Sequence, residues 1–290
     1  MGQAVSFTRQ LRTLLILGRV SNLPTVWSNC LAGWILAGTG PLDRLALLIC
    51  GGTFLYAAGM YFNDAFDATF DRQHRPERPI PSGAITLTAV WQWGLVWLCL
   101  GLSCLWPLGP VTAVLATLLA ATIFVYDVIH KIFAFSPVLM ATCRFFLFLL
   151  AASVADEGVT GLSIWSALFL AAYIIGLSFI AQRESTKIAV RYWPIIFLLS
   201  PILLAMIVDT GETWRTALLL SIVLLVWILR SLRFTFLTRQ RNVGRTVSSL
   251  LAGIVLVDIL AIVPGAPWAG MIFMTLFLLA LIFQQFVPAT

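Results

Sequence analysis

Apolar residues run along this chain in long unbroken blocks, at roughly 22–39, 44–66, 86–106, 109–127, 135–155, 162–182, 192–208, 214–237, 246–264 and 268–287. Each approaches the ~20 residues with which a helix crosses the hydrocarbon of a bilayer. The blocks are continuous rather than alternating, which disfavours the strands of a lipid-facing barrel. Backbone groups in lipid must then be satisfied inside helices. The pattern predicts an all-α, polytopic membrane bundle of nine or ten transmembrane helices. Only "PGAPWAG" separates the last two blocks, which are either two spans or one span followed by a re-entrant or interfacial helix. Residues 1–290 form a single transmembrane domain in this reading, with 1–19 as a cytoplasmic or interfacial segment. That segment carries Arg9, Arg12 and Arg19 and lacks a small-residue cleavage site, so no cleaved signal peptide is expected.

Composition agrees: 60% of the 290 residues are hydrophobic and 10% charged, and the mean hydropathy of +0.98 lies far outside the soluble globular range. No nucleic-acid partner is expected of such a chain; membrane lipids are. The five cysteines, Cys30, Cys50, Cys99, Cys104 and Cys143, stand singly in apolar segments, which favours packing over a metal site or disulfide.

The few charges are unevenly placed. With a cytoplasmic N-terminus, the cytoplasmic loops hold ten basic residues, among them Arg72, Arg75, Arg78, Lys131, Arg183 and Lys187, against Arg44 and Arg215 on the other side. That bias sets the orientation and suits the cytoplasmic membrane of a bacterium. Contact with anionic headgroups accounts for most of these cations, but not for the aspartates among them. "YFNDAFDATFDRQHRPERPIPSG", residues 61–83, contains Asp64, Asp67, Asp71 and Glu77, a third of the chain's twelve carboxylates. Asn63, Asp67 and Asp71 recur every four residues and so share an arc of ~80° on a helix, rising ~6 Å per step, with Asp64 at its edge. Phe62, Phe66 and Phe70 form a parallel stripe that can pack on neighbouring helices or on a greasy ligand. Carboxylates crowded on one partly desolvated face repel unless cations intervene. Oxygen ligands of this kind suit Mg²⁺, which takes one or two carboxylates and completes its shell with water and substrate phosphate.

"NDAFDATFDR" resembles the first signature of the UbiA superfamily of intramembrane prenyltransferases, an Asn-x-x-x-Asp-x-x-x-Asp helix end followed by a basic loop. "RPERPIPSG" is similar to that loop, and "GRVSNLPTVWSNCLAG" to the family's first helix entry, with Arg19 and Asn22 near the mouth. The resemblance follows the order of helices over most of the chain, with one apolar run more than the family's usual nine. It implies Mg²⁺ bridging Asn63, Asp67 and Asp71 to a prenyl diphosphate, with Arg72 and Arg78 closing over the phosphate and a small polar or aromatic acceptor capturing the ionised allylic carbon; Asp64, at the edge of their arc, is read as a further metal ligand. The implied partners are thus an isoprenoid diphosphate or phosphate lipid and a small-molecule acceptor. "YDVIHK" resembles the family's Tyr-x-x-x-Lys-Arg element, implying that Tyr126, His130 and Lys131 reach the diphosphate, with His130 where lysine is usual. His130 is a cation there only when protonated. An ordinary interfacial histidine is the competing reading, and Asp127 can pair with Lys131 or hold His130.

Arg144 lies deep in "SPVLMATCRFFLFLLAAS" and needs a carboxylate, a phosphate or a wet cavity. A substrate-phosphate or acceptor role competes with pairing to Asp258, itself alone in an apolar run and read as structural. The sixth run departs from the family: where a second Asp-x-x-x-Asp is usual, "QRESTK" places Arg183 and Lys187 four apart, with Glu184 the only acid. Arg183 and Lys187 can neutralise phosphate in place of a second metal. Alternatively the lipid is a polyprenyl monophosphate that accepts a diphosphate-activated sugar or cyclitol-like group. The altered motif also resembles the divergent UbiA-like proteins of bacterial ebo-type gene clusters. Three other classes remain. A transporter would carry its charges at the midplane rather than at helix ends. A CDP-alcohol phosphotransferase would show Asp-Gly and Ala-Arg elements, absent here. An inactive scaffold would explain the missing second motif.

Overall fold

The computed structural model describes residues 11–182, 192–238, 241–263 and 265–287, and no strand occurs among them. Helical residues 11–17 end at a break where Arg19 adopts a left-handed φ of 39°, a conformation that a long side chain tolerates only when its surroundings hold it there. The helices that follow are α1 (Leu23–Leu36), α2 (Leu42–His74), α3 (Leu87–Leu105), α4 (Pro110–Ile129), α5 (Ser136–Val154), α6 (Gly161–Ala181), α7 (Pro194–Leu198), α8 (Ser200–Val208), α9 (Trp214–Phe236), α10 (Val243–Ile262) and α11 (Gly270–Phe286).

Among the described residues, eight helices are long and apolar enough to cross a membrane, and the protein is an integral membrane protein. The other two apolar runs form shorter helices. The run at 22–39 yields only the 14 residues of α1, because Pro24 sets its start and Gly38, at φ +85°, turns the chain out of it. The run at 192–208 divides into α7 and α8 because Pro194 and Pro201 each open a helix, having no N–H to give to a preceding turn. The last two runs are separate helices, each of crossing length, with Pro267 starting the second.

Helix α1 is the axis of the bundle, packed by α2, α5, α10 and α11. It meets α5 so closely that a Cβ on Gly33 would lie 2.4 Å from the Phe148 carbonyl oxygen. Small residues allow such approaches between membrane helices. Gly33→Ala is therefore expected to push α1 from α5 and lower stability by about 1–3 kcal/mol, the usual penalty of overpacking. Denaturant unfolding in detergent reads this, and an unchanged midpoint would refute the close contact.

The 33 residues of α2 span ~50 Å, well beyond the ~30 Å of hydrocarbon. Its C-terminal acidic turns thus reach one end of the bundle. The far end is closed by backbone bonds from Asp156 to Thr39 and from Glu157 to Ala37, at 2.8 and 3.0 Å.

Candidate active site

The C-terminal turns of α2 place four buried polar side chains, Asn63, Asp64, Asp67 and Asp71, beside a fifth, Asp127, from the last turn of α4. Each acid of α2 is answered by a cation from another segment. Arg78, in the loop after α2, reaches Asp71 Oδ2 at 2.9 Å and Asp64 Oδ1 at 3.4 Å. Arg19, held at the helix break, donates to Asp64 Oδ1 at 3.4 Å and to Asn63 Oδ1 at 3.2 Å. Asp67 Oδ1 lies 2.6 Å from Lys131 Nζ and 3.2 Å from His130 Nε2. Burial disfavours a charged His130, but the hydrogen bond and charge of Asp67 outweigh it and raise the imidazole's pKa above its ordinary value. Crowded carboxylates are thus tolerated because three chain segments surround them with positive charge.

Asp67 takes both partners that the sequence offers to Asp127; Asp127 instead accepts from Asn63 Nδ2 at 3.1 Å and gives only its backbone carbonyl to His130. Of the phenylalanine stripe, Phe62 and Phe66 pack on Trp91 and Phe124 of the adjoining helices, so helix packing, not a ligand, takes that face. Phe70 stacks on His74 and carries Lys131 Nζ 4.0 Å from its ring centroid.

The cluster opens into a cavity of about 310 Å³ lined by Arg19, Asn22, Asn63, Asp67, Arg75, Arg78, Tyr126, His130 and Arg144. Its inner wall, at Tyr56, Met60, Tyr126, Met140 and Arg144, is shared with a pouch of about 90 Å³ whose remaining lining is apolar except for Asp127, including Val26, Leu55, Leu119, Ile123 and Leu147. Arg144 stands at the junction. Its Nη1 donates to Asn29 Oδ1 at 2.8 Å and to the Thr25 carbonyl at 3.1 Å, and its Nη2 to Thr25 Oγ1 at 2.9 Å. Asn29 in turn donates to Asp258 Oδ2 at 2.8 Å, which also accepts from Ser28. Arg144 and Asp258 therefore communicate through an amide rather than by a direct ion pair, and α1, α5 and α10 are joined by one buried polar chain.

Most sequence-predicted residues converge. Asn22, Tyr126 and His130 line the cavity, whereas Arg72 is exposed on α2 and lines no part of it. Arg75, three residues on, occupies the rim instead; the basic loop signals a cation but not which arginine turns inward. Lys131 contacts Asp67 from outside the cavity lining. Tyr56, Thr25 and Asn29 escape a sequence reading because ordinary helix positions give no periodic or charge signal. Arg183, Glu184 and Lys187 lie outside the described residues. The five cysteines are free.

Whether these residues suit Mg²⁺ is decided by their chemistry. The donors are carboxylate and amide oxygens, and Asp71 Oδ1 and Asp127 Oδ2 are buried with no hydrogen-bond partner, a costly condition that a cation relieves. No three acidic, histidine or cysteine side chains converge on one point among the described residues. That pattern fits an ion whose shell is completed by substrate phosphate and water rather than a protein-only cage.

Comparison with known proteins agrees with this architecture. The UbiA prenyltransferase family model matches residues 26–233, and the chain belongs to that family. It is 35% identical over 98 residues to digeranylgeranylglyceryl phosphate synthase of Methanocaldococcus jannaschii, covering 33% of this chain and 35% of that one. It is 27% identical over 202 residues to 4-hydroxybenzoate octaprenyltransferase of Escherichia fergusonii, covering 67% and 68%. The chain thus spans about a third of the archaeal synthase it matches. A solved UbiA homolog from Archaeoglobus fulgidus bound to GPP and Mg²⁺ shares the fold at TM-score 0.63 and 16% identity, covering 91% of this chain and 99% of that one.

Proposed function

We propose that this protein transfers a prenyl group from a prenyl diphosphate to a small polar or aromatic acceptor within the membrane, with Mg²⁺. The observation that carries the reading is that a charged chamber adjoins an apolar pouch, the two sharing Tyr56, Met60, Tyr126, Met140 and Arg144 as lining. Those two compartments match the two halves of an isoprenoid diphosphate. Asn63, Asp64, Asp67 and Asp71 would hold Mg²⁺, which supplies positive charge to the leaving diphosphate. Arg19, Arg78 and His130 bind and orient the diphosphate oxygens, and each cation freed from its aspartate gains a phosphate in exchange. As the allylic C–O bond breaks, the electron pair leaves with the diphosphate. The acceptor's nucleophilic carbon or oxygen bonds to the allylic carbon and then loses a proton. The apolar wall excludes water that would otherwise capture the cation.

Arg144 favours an acceptor with an anionic group. Its charge faces the junction with no carboxylate in direct contact. Two relatives, a digeranylgeranylglyceryl phosphate synthase and a 4-hydroxybenzoate octaprenyltransferase, are named for compounds that carry a phosphate or a carboxylate. The test is to incubate purified protein with Mg²⁺, a series of prenyl diphosphates and candidate phosphate- or carboxylate-bearing acceptors, and to identify products by mass. A prenylated acceptor that vanishes on chelation is expected. A glycosylated polyprenyl phosphate, or no product from any pairing, would overturn the proposal.

A further inference from the structure

A second polar recess, of about 500 Å³, opens where α9, α10 and α11 meet, and it shares no lining residue with the candidate active site. Trp227, Arg230 and Phe234 line it from α9 at positions i, i+3 and i+7, so they occupy one helix face. Arg245 and Ser248, three apart on α10, and Gln284 on α11 complete the rim. The walls are braced: Trp227 Nε1 donates to the Ser249 carbonyl at 2.9 Å, and Gln284 Nε2 to the Ser248 carbonyl at 3.0 Å. Trp227 also meets Phe277 edge-on, with ring centroids 5.0 Å apart, tying α9 to α11.

The charge inside is one-sided. No acid lines the recess, and neither Arg230 nor Arg245 forms an ion pair among the described residues. Aromatic faces hold both guanidinium groups, Arg245 at 4.3 Å from the Phe234 ring and Arg230 at 5.4 Å from the Trp227 ring. Arg230 lies six residues before the end of α9 and Arg245 two after the start of α10. At 1.5 Å per residue that is within ~10 Å of the helix ends, the level of lipid phosphate and glycerol. The neighbouring α9 surface is apolar and unpacked, with Val226 and Leu229 each 57% exposed, a course for acyl chains. The recess belongs to the same end of the bundle as the acidic cluster: Phe236, the last residue of α9, stacks on Tyr192, and Phe179 near the end of α6 meets Trp193.

We infer that this recess seats the headgroup of an anionic phospholipid. Two arginines without carboxylates suit a singly charged phosphodiester. A diphosphate carries more charge and calls for a divalent cation, for which the recess offers no acidic ligand. A zwitterionic lipid brings its own ammonium against the arginines. The glycerol hydroxyls of a phosphatidylglycerol find Ser248 and the Gln284 amide at the rim.

Native mass spectrometry of the detergent-purified full chain, titrated separately with phosphatidylglycerol and phosphatidylcholine, tests this. The wild type is expected to retain phosphatidylglycerol preferentially. The R230Q/R245Q double variant should lose about tenfold or more of that retention, with phosphatidylcholine retention unchanged, whereas R230K/R245K keeps most of it. Should the double variant fail to fold, R245Q alone, with a wild-type unfolding profile, should show a loss in the same direction. Sodium diphosphate with Mg²⁺ is expected not to displace the lipid. Equal phosphatidylglycerol retention by wild type and folded variants, or displacement by diphosphate, would overturn the inference. Because the recess and the acidic cluster share no residue, prenyl transfer assayed without added lipid stays unchanged in these variants, so this outcome is independent of the proposed reaction.

Discussion

Asp67→Ala is expected to lower Mg²⁺-dependent prenyl transfer by about 100-fold or more, the scale on which removing one preorganised electrostatic element acts on a transition state. Asp67 is the acid to which both His130 and Lys131 turn, and in the proposed reaction it is also a ligand of the ion that draws charge from the leaving group. Its loss has two opposed consequences. Two cations near the chamber are released, which favours ground-state binding of a diphosphate, while the ion that stabilises the departing charge is held less well. The signature is therefore a fall in kcat with little rise in KM for the prenyl diphosphate, together with a need for more Mg²⁺. Asp71→Ala should act in the same direction, because it frees Arg78 from its 2.9 Å contact. Steady-state kinetics across a Mg²⁺ titration measure both variants, and full activity in either would remove the acidic helix end from the reaction.

Asp258→Ala is expected to produce the largest loss of stability, about 3–5 kcal/mol, the range for breaking one member of a buried charged network. Asp258 is 1% exposed, and its Oδ2 is the acceptor for both Ser28 and Asn29. Without it, the Asn29 amide is orphaned in the bundle interior, Ser28 keeps only the Thr25 carbonyl at 3.2 Å, and Asn29 loses the restraint that keeps its Oδ1 on Arg144. Asp258→Asn keeps an acceptor oxygen in place and should cost much less. Denaturant unfolding in detergent compares the two. If alanine and asparagine variants both unfold at the wild-type midpoint, the network is not a determinant of stability.

The parts of this protein that are legible in its sequence are those with a period. The four-residue spacing of Asn63, Asp67 and Asp71 needs only helix geometry to place them on one face, and the structure buries all three at the end of α2. Runs of apolar residues likewise announce helices wherever no proline intervenes. The two runs that fall short, α1 and the α7–α8 pair, do so where Gly38 turns the chain out of α1 and where Pro194 and Pro201 open separate helices, so a run's length overstates the helix it can form. The partners of the acids are less legible. Nothing in "YDVIHK" ranks Asp67, sixty residues upstream, above Asp127 as the partner of Lys131. A salt bridge depends on which helix ends meet: the four-residue spacing would place Asp127 and Lys131 on one face of a continuing helix, but α4 ends at Ile129 and Lys131, beyond it, meets Asp67.

Arg144 shows where local information ends. Its depth in an apolar run requires a polar partner, and the sequence offers Asp258, which stands alone in an apolar run of its own. The structure interposes Asn29, because α1 lies between α5 and α10 and supplies Thr25, Ser28 and Asn29 from successive positions of one turn. Those three residues are unremarkable in the sequence, since polar side chains in a short helix are equally at home at a surface or a cap. The pattern of apolar runs, the basic bias and the spaced acids determined by themselves a helical membrane protein with an oxygen-rich anionic site at one end. Tertiary structure alone decided which cations answer which acids, that an apolar pouch adjoins the chamber, and that a second basic recess forms between α9, α10 and α11. Spacing along a helix is set by covalent geometry and is carried in the sequence, whereas contact between helices is set by packing and exists only once the chain is folded.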